Sequence, residues 1–417
     1  MIRVAPGGLR GCLRAPASKS HAQRLLLAAA LAPGESLIRG LGRSGDVRAC
    51  LGVLRALGAE VEEVDEAGDQ VRVRGGLPVG TGPLDCGESG FCLRACAALA
   101  ALGGGPWTLL GRGTLAGRSA EMVLAPLRAL GAWAEAPGGR PPLTVQGPLE
   151  GGRAVVDGAA SSQALSGLLL ALPAARKDSV LEVRGLRSAP YVRMTLEVAS
   201  AFGLRVEASS ALDAFRIPGG QVPRAGVHDV EGDWSGAAFL LVAGALAGEL
   251  RLEGLRPDSP QADRAILEAL RAAGAAPVWE AGALRVAEAP LHAFSFDATD
   301  CPDLSPPLAA LACHARGTSR IAGAGRLRGK ESDRAATLLS ELGALGARLA
   351  RKGDVLEVTG GPLAGGSVRS HGDHRIAMAC AVAALRARAE VEIADAGCVA
   401  KSYPAFFDDL AQLKGER

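Results

Sequence analysis

One spacing constrains the fold more than any other feature. A run of apolar residues at helical period, VLRALG, ends on Gly58 and is followed by the strand-like AEVEEV. The same signature returns at Gly131, Gly203, Gly274, Gly346 and, more weakly, Gly415, at intervals of 73, 72, 71, 72 and 69 residues. Glycine suits each place because a helix commonly ends on a residue of positive φ, where a Cβ is strained. A second series of apolar helices begins near Ser20, Ser89, Ser162, Ser235, Ser305 and His374, at intervals of 69, 73, 73, 70 and 69. Short runs of period two, such as Val71 to Arg74, Leu181 to Arg184, Leu250 to Glu253 and Val355 to Thr359, read as strands between the helices. The pattern predicts an α/β chain of six βαβαββ-like units. At ordinary domain size such units group as three and three. The Pro- and Gly-rich segment Pro218 to Gly226, between the third and fourth units, is the expected crossover.

Composition narrows the function. Forty-six basic residues against 44 acidic ones leave a net charge of +2, too balanced for a surface that wraps nucleic acid. Any affinity for anions is therefore expected to be local. Nine scattered cysteines fit reduced cytoplasmic thiols better than a disulfide framework. Cys86, Cys92 and Cys96 match no zinc spacing, so no structural metal is expected. The apolar stretches Ala164 to Pro173 and Ala237 to Ala247 are too short to cross a bilayer. Leu25 to Ala32, preceded by Arg10, Arg14, Lys19 and Arg24, imitates a signal peptide only faintly and reads as a buried first helix.

Residues suited to chemistry gather at helix starts. The first helices of the units begin with Ser18, Lys19, Ser20 and Arg24; Gly87 to Arg94; Ser161, Ser162 and Gln163; Asp233 and Ser235; Asp303; and Asp373, His374 and Arg375. Before the second helices stand Arg118, Ser188 with Tyr191, Lys330 to Arg334, and Lys401 to Tyr403. Serines and aspartates there are also good N-caps, and Asp233, Asp303 and Asp373 carry that reading beside any other. Cations at a helix start oppose the macrodipole. A bound anion resolves the conflict, being drawn by the dipole, the free amides and the cations together. Only six lysines occur beside 40 arginines, yet Lys19, Lys330 and Lys401 all fall in these loops, as do both tyrosines, Tyr191 and Tyr403.

Other motifs fail. GRLRGKES at Gly325 to Ser332 misses a phosphate-binding loop by one residue and has Glu331 in place of the magnesium-holding hydroxyl. GLGRSG at Gly40 to Gly45 fits GxGxxG, but its helix holds an ordinary place in the repeat. No Gly-x-Ser-x-Gly elbow and no cysteine–histidine motif supports covalent catalysis. His371, Asp373 and His374 lack the one-turn spacing of a helical metal pair. Lys330 and Arg334 are four apart, which on a helix shares one face, with Glu331 beside them in the first turn.

SKSHAQR at Ser18 to Arg24, GESGFCLR at Gly87 to Arg94, DGAASSQALS at Asp157 to Ser166, RLRGKESDR at Arg326 to Arg334, GDHRIAM at Gly372 to Met378 and KSYPAFF at Lys401 to Phe407 resemble, in order, the 3-phosphoshikimate 1-carboxyvinyltransferase (EPSP synthase) family. The resemblance implies two similar domains of three βαβαββ units, an inside-out α/β barrel with a cleft between domains. It places one domain at 15–225 and the other, carrying both termini, at 1–14 plus 226–417. The implied activity transfers the enolpyruvyl group of phosphoenolpyruvate to the 5-hydroxyl of shikimate 3-phosphate, in a cytoplasmic monomer without cofactor or metal. Matching motif positions assign Lys19, Ser20, Arg24, Ser161, Ser162, Gln163, Ser188, Asp303 and Lys330 to shikimate 3-phosphate. They assign Lys19, Gly90, Arg118, Gln163, Arg334, Arg375 and Lys401 to phosphoenolpyruvate. Asp303 takes the hydroxyl proton and Glu331, with Lys19, protonates the methylene carbon, in an addition followed by an elimination.

The sequence departs from the family's commoner pattern at Glu88 and Ser89 (usually Asn-Ala), Phe91 (usually Thr) and Ala95 (usually Pro). A carboxylate at Glu88 repels phosphoenolpyruvate unless Arg94 or another cation pairs with it. Two alternatives have distinct signatures. The related UDP-N-acetylglucosamine enolpyruvyltransferase carries a reactive cysteine in the loop that here, at Gly111 to Arg118, has none. A nucleic-acid-binding βαβαββ protein needs a broad basic face, against which the near-neutral charge argues.

Overall fold

The computed structural model describes residues 1–66, 68–159 and 161–415. Among them, each repeat folds as a small sheet with two helices. Gly82–Asp85 runs parallel to Pro106–Leu110, which pairs antiparallel with Leu143–Gln146, and that strand with Trp133–Glu135. Four other sheets keep this order, and a sixth has Gly366–Arg369 parallel to Val391–Ala394 with Ile2–Val4 antiparallel at its other edge. The glycines that set the period all lie in the left-handed region, with φ of 98° at Gly58, 100° at Gly131, 73° at Gly203, 99° at Gly274, 95° at Gly346 and 74° at Gly415. The helix-ending role read from their spacing is therefore what they perform.

The chain divides into two compact units, Met1–Pro16 with Glu231–Arg417, and Ala17–Val230. Their boundaries arise from an exchange of first strands. Leu9–Arg14 does not pair with the next strand in sequence but lies parallel to Gly248–Glu253, while Val227–Asp229 lies parallel to Glu35–Arg39. The crossings consequently fall after Pro16 and Val230, later than the 14/15 and 225/226 divisions expected above. The amide of Val230 donates to the carbonyl of Arg39 at 2.9 Å, holding the end of that strand in the second unit, and the amide of Ala15 donates to the carbonyl of Glu253 at 2.9 Å in the first. Pro218 to Gly226 precedes the crossing and belongs to the second unit.

Each unit is built around its first helices. In the unit carrying both termini, Trp234–Ala247, Ser305–Cys313 and His374–Ala384 are buried at every position and pack on one another. Beyond Ser235, Ser305, His374 and Arg375 in their first turns, their sequences are apolar all round, as a helix surrounded by protein requires. Gly90–Ala100 is equally buried in the other unit, where it packs along Gln163–Ala171. The Cα of Ala95 approaches so near that a Cβ at Gly167 would stand 2.6 Å from it. The second helices, such as Gly45–Ala56 and Arg334–Ala344, are amphipathic and show one face to solvent. Leu25 to Ala32 is indeed interior to its unit, and no helix among the described residues is long and apolar enough to cross a membrane.

Candidate active site

In the unit Ala17–Val230, side chains at the starts of the three first helices are tied together. Ser18 caps Lys19–Leu31, accepting from the amide of His21 at 3.4 Å, and Ser89 caps Gly90–Ala100, accepting from the amide of Cys92 at 3.2 Å. The Ser89 hydroxyl also donates to Gln23 Oε1 at 2.8 Å, and Arg94 Nη1 donates to Gln163 Oε1 at 2.6 Å. Gln163 is the first residue of its helix, and its amide donates to Ser161 Oγ at 3.2 Å, beside the buried Ser162. A Cβ at Gly90 would stand 2.8 Å from Arg94 Nη1 and 3.2 Å from Arg118 Nη1, so the missing side chain makes room for two guanidinium groups. Ser188 adopts a left-handed conformation, φ 58° and ψ 42°, just before Ala189–Ala201. For a residue with a Cβ that is a strained state, of the sort that clusters at functional sites.

Lys19 and Arg24 are held differently. Lys19 Nζ lies 2.7 Å from Asp46 Oδ2, a carboxylate in the first turn of the next helix. Arg24 is 2% exposed. Its Nε donates to Thr195 Oγ1 at 2.8 Å, Nη1 to the Ser20 carbonyl at 2.7 Å and Nη2 to Ser166 Oγ at 3.2 Å, all neutral partners. Its guanidinium lies 4.4 Å from the centre of the Phe91 ring and 5.9 Å from that of Tyr191. Burial pulls its pKa down to about 10, the nearby Tyr191 opposing.

The other unit assembles carboxylates around cations. Arg334, 1% exposed, donates through Nη1 to Asp303 Oδ1 at 2.6 Å, through Nη2 to Glu331 Oε2 at 2.6 Å and through Nε to Asp373 Oδ2 at 2.7 Å. Arg375 Nη2 stands 3.1 Å from Asp303 Oδ2, Lys330 Nζ 3.6 Å from Asp303 Oδ1, and Lys401 Nζ 4.0 Å from Glu331 Oε1. Burial pushes the Asp303 carboxyl up, but Arg375, Lys330 and Arg334 together hold it well below the ordinary carboxylate range. Arg334 is also desolvated, yet Asp373, Glu331 and Asp303 keep it firmly charged.

The capping readings separate here. Asp233 caps Trp234–Ala247 through the amide of Gly236 at 2.8 Å, and Asp373 caps His374–Ala384 through the amide of Arg375 at 3.0 Å. Asp303 caps nothing: neither its own short turn, Pro302–Leu304, nor Ser305–Cys313 has a side-chain cap. One expectation is corrected. Lys330 and Glu331 do not share a helical face with Arg334, because Asp333 caps the helix, accepting from the amide of Ala336 at 3.3 Å, and Arg334 is its first residue. The cluster meets across a turn.

The conflict between cations and helix dipoles is also answered in part by the protein itself. Lys19, Lys330, Arg334, Arg375 and Lys401 each face a carboxylate, and Lys401, corrected from the expectation above, ends the short turn Ala396–Lys401 rather than standing at a helix start. Arg24 does not, among the described residues. Asp46 carried no sequence signal as the partner of Lys19, since an acid in a first helical turn is ordinary. Asp263 was also missed. It is wholly buried against Ser235, and desolvation and Asp303 push its carboxyl up to about 7 against the pull of Arg375. Glu88 accepts from Thr114 Oγ1 at 3.1 Å, while Arg94 Nη2 donates to the Ser119 carbonyl at 2.6 Å. The described residues include no group of three or more His, Cys, Asp or Glu able to hold a metal ion.

Comparison with known proteins agrees over the whole chain. The family profile described as EPSP synthase (3-phosphoshikimate 1-carboxyvinyltransferase) matches residues 4–410. The 3-phosphoshikimate 1-carboxyvinyltransferase of Methanocorpusculum labreanum is 39% identical, covering 98% of this chain and 97% of the relative. That of Aeropyrum pernix is 40% identical, covering 99% and 95%. The solved EPSP synthase of Acinetobacter baumannii superposes with a TM-score of 0.83 at 26% identity, covering 99% of this chain and 98% of that one. The motifs, the sixfold repeat and these matches together place the chain in the EPSP synthase family.

Proposed function

We propose that the chain transfers the enolpyruvyl group of phosphoenolpyruvate to the 5-hydroxyl of shikimate 3-phosphate, releasing phosphate. The observation that carries the reading is the Asp303 carboxylate, ionised, free of any capping duty and held by Arg334, Arg375 and Lys330 beside Glu331. A charged base and an acid are thereby set among cations that fit anionic reactants. Both substrates are multiply charged, and guanidinium and ammonium groups bind phosphate and carboxylate through charge-assisted hydrogen bonds.

In the addition, the 5-hydroxyl oxygen attacks C2 of phosphoenolpyruvate, its proton passing to Asp303. Glu331, helped by Lys19, supplies a proton to the methylene carbon, and a tetrahedral ketal phosphate forms. In the elimination the methyl group returns a proton, the C2–C3 double bond reforms and phosphate leaves with the bonding pair. The pull of three cations makes Asp303 a weak base in the form described. Anionic substrates that draw Lys330 and Arg375 toward themselves raise its basicity at the moment it is needed. Shikimate 3-phosphate is assigned to Lys19, Ser20, Arg24, Ser161, Ser162, Gln163, Ser188, Asp303 and Lys330. Phosphoenolpyruvate is assigned to Lys19, Gly90, Arg118, Gln163, Arg334, Arg375 and Lys401, with Arg334 chiefly holding the carboxylates that face it. Lys19, Gly90, Arg118 and Gln163 belong to one unit, and Arg334, Arg375 and Lys401 to the other.

We read the working form as a monomer and its compartment as the reduced cytoplasm, the compartment being supported by nine free cysteines. Purified protein is expected to release phosphate from phosphoenolpyruvate only when shikimate 3-phosphate is present, without added metal. Release driven instead by UDP-N-acetylglucosamine overturns the assignment.

A further inference from the structure

Arg24 poses a physical problem that its neighbours solve in an unusual way. A guanidinium removed from water ordinarily needs a carboxylate, because desolvating an unpaired charge costs several kcal/mol. Arg24 is 2% exposed, its three hydrogen-bond acceptors are neutral, and no described carboxylate lies within ion-pair range. The guanidinium carbon lies over the face of the Phe91 ring, 4.4 Å from its centre, and that ring is 8% exposed and placed in the first turn of Gly90–Ala100. The negative face of an aromatic ring attracts a cation without neutralising it, and the attraction strengthens where water is excluded. A carboxylate would have cancelled the charge. The ring leaves the Arg24 charge uncancelled, while Thr195 and Ser166 hold its Nε and Nη2 from two other helices.

We propose that Phe91 is a positioning residue for substrate binding: its ring holds the Arg24 guanidinium oriented and unneutralised, so that the cation's remaining capacity is kept for the anionic groups of shikimate 3-phosphate. The inference rests on the proposed function for the ligand's identity. It concerns a residue where this sequence departs from the family's commoner threonine, and a threonine has no ring to stack.

The test is calorimetric binding of shikimate 3-phosphate alone to the full chain and to F91L, F91M and F91Y, with steady-state KM values for both substrates. Leucine and methionine refill the volume without a π face, and tyrosine keeps one. The expected result is Kd for shikimate 3-phosphate weakened about 2- to 30-fold in F91L, the range of a desolvated cation–π contact. F91Y regains most of that loss, and KM for shikimate 3-phosphate rises more than KM for phosphoenolpyruvate. F91M serves the same comparison if F91L does not fold. Equal affinity in the ringless variants and the parent overturns the inference, as does an F91Y as weak as F91L, which would leave packing as the whole effect. A parent chain that fails to bind shikimate 3-phosphate overturns the functional reading instead, and the inference with it.

Discussion

Replacing Arg334 with methionine removes the cation around which the carboxylate cluster is built. The guanidinium is 1% exposed, with Asp303 and Glu331 oxygens at 2.6 Å and an oxygen of the fully buried Asp373 at 2.7 Å. Breaking a buried ion pair by deleting one partner costs about 3–5 kcal/mol, since the other charge stays behind. Three acids lose the same partner here, so the upper part of that range is expected. At about 2–4 °C per kcal/mol for a unit of this size, the upper part of that range lowers the thermal midpoint by roughly 8–20 °C. The pH dependence has a definite sign. In the parent, Asp303 has a depressed folded pKa, so its contribution is complete above the unfolded value and is lost only as pH falls through the lower folded one. In the variant, loss of Arg334 moves the folded pKa values of the carboxylates it held upward, although Asp303 keeps Arg375 and Lys330 and Glu331 keeps Lys401. The resulting penalty is present at neutral pH and shrinks as pH falls through the raised values. Calorimetric unfolding near neutral pH and near about pH 5 should therefore show a gap between parent and variant that narrows on the acid side. A loss under about 1 kcal/mol at neutral pH, or a gap independent of pH, refutes the reasoning.

Three further outcomes follow from the same geometry. D303N should lower kcat by about 10²–10⁴, the span of a lost general base, while shikimate 3-phosphate still binds; a kcat within about tenfold of the parent denies Asp303 that role. G90A puts a methyl 2.8 Å from Arg94 Nη1 and 3.2 Å from Arg118 Nη1, so KM for phosphoenolpyruvate should rise about tenfold, and an unchanged KM separates Arg118 from that substrate. G248A places a Cβ 1.8 Å from the Leu9 carbonyl oxygen, where the exchanged first strand joins its sheet, and urea unfolding should register a loss of about 3 kcal/mol or more. Near-parent stability contradicts that strand pairing.

The repeat was legible because its marks are local. A helix that ends on glycine at φ near 100° writes that glycine into the sequence wherever the unit recurs, as at Gly58 and Gly131. Serine caps such as Ser18 and Ser89 are equally local. The strand exchange was not legible in the spacing, and only the resemblance joined 1–14 to 226–417, because the pairing of Leu9–Arg14 with Gly248–Glu253 joins segments far apart in sequence and either parallel partner suits the same alternating pattern. That is why the unit boundaries lie after Pro16 and Val230. Spacing likewise put Lys330, Glu331 and Arg334 together but on the wrong scaffold, since Asp333 offers as good a cap as any residue before it. Partners from other elements left no trace: Asp46 for Lys19, Thr195 and Ser166 for Arg24, and Asp373 for Arg334. Each such side chain has an ordinary local reason to be where it is.

Phosphorus NMR of phosphoenolpyruvate mixed with shikimate 3-phosphate and the chain, without metal, bears most directly on the claim that these cations and carboxylates unite two anionic metabolites. The expected record is an equimolar exchange of the phosphoenolpyruvate resonance for inorganic phosphate, with the shikimate phosphorus retained on an enolpyruvyl ether, slowed about 10²–10⁴-fold with D303N. Phosphate appearing in the absence of shikimate 3-phosphate, or a D303N chain that performs the exchange at the parent's rate, contradicts it.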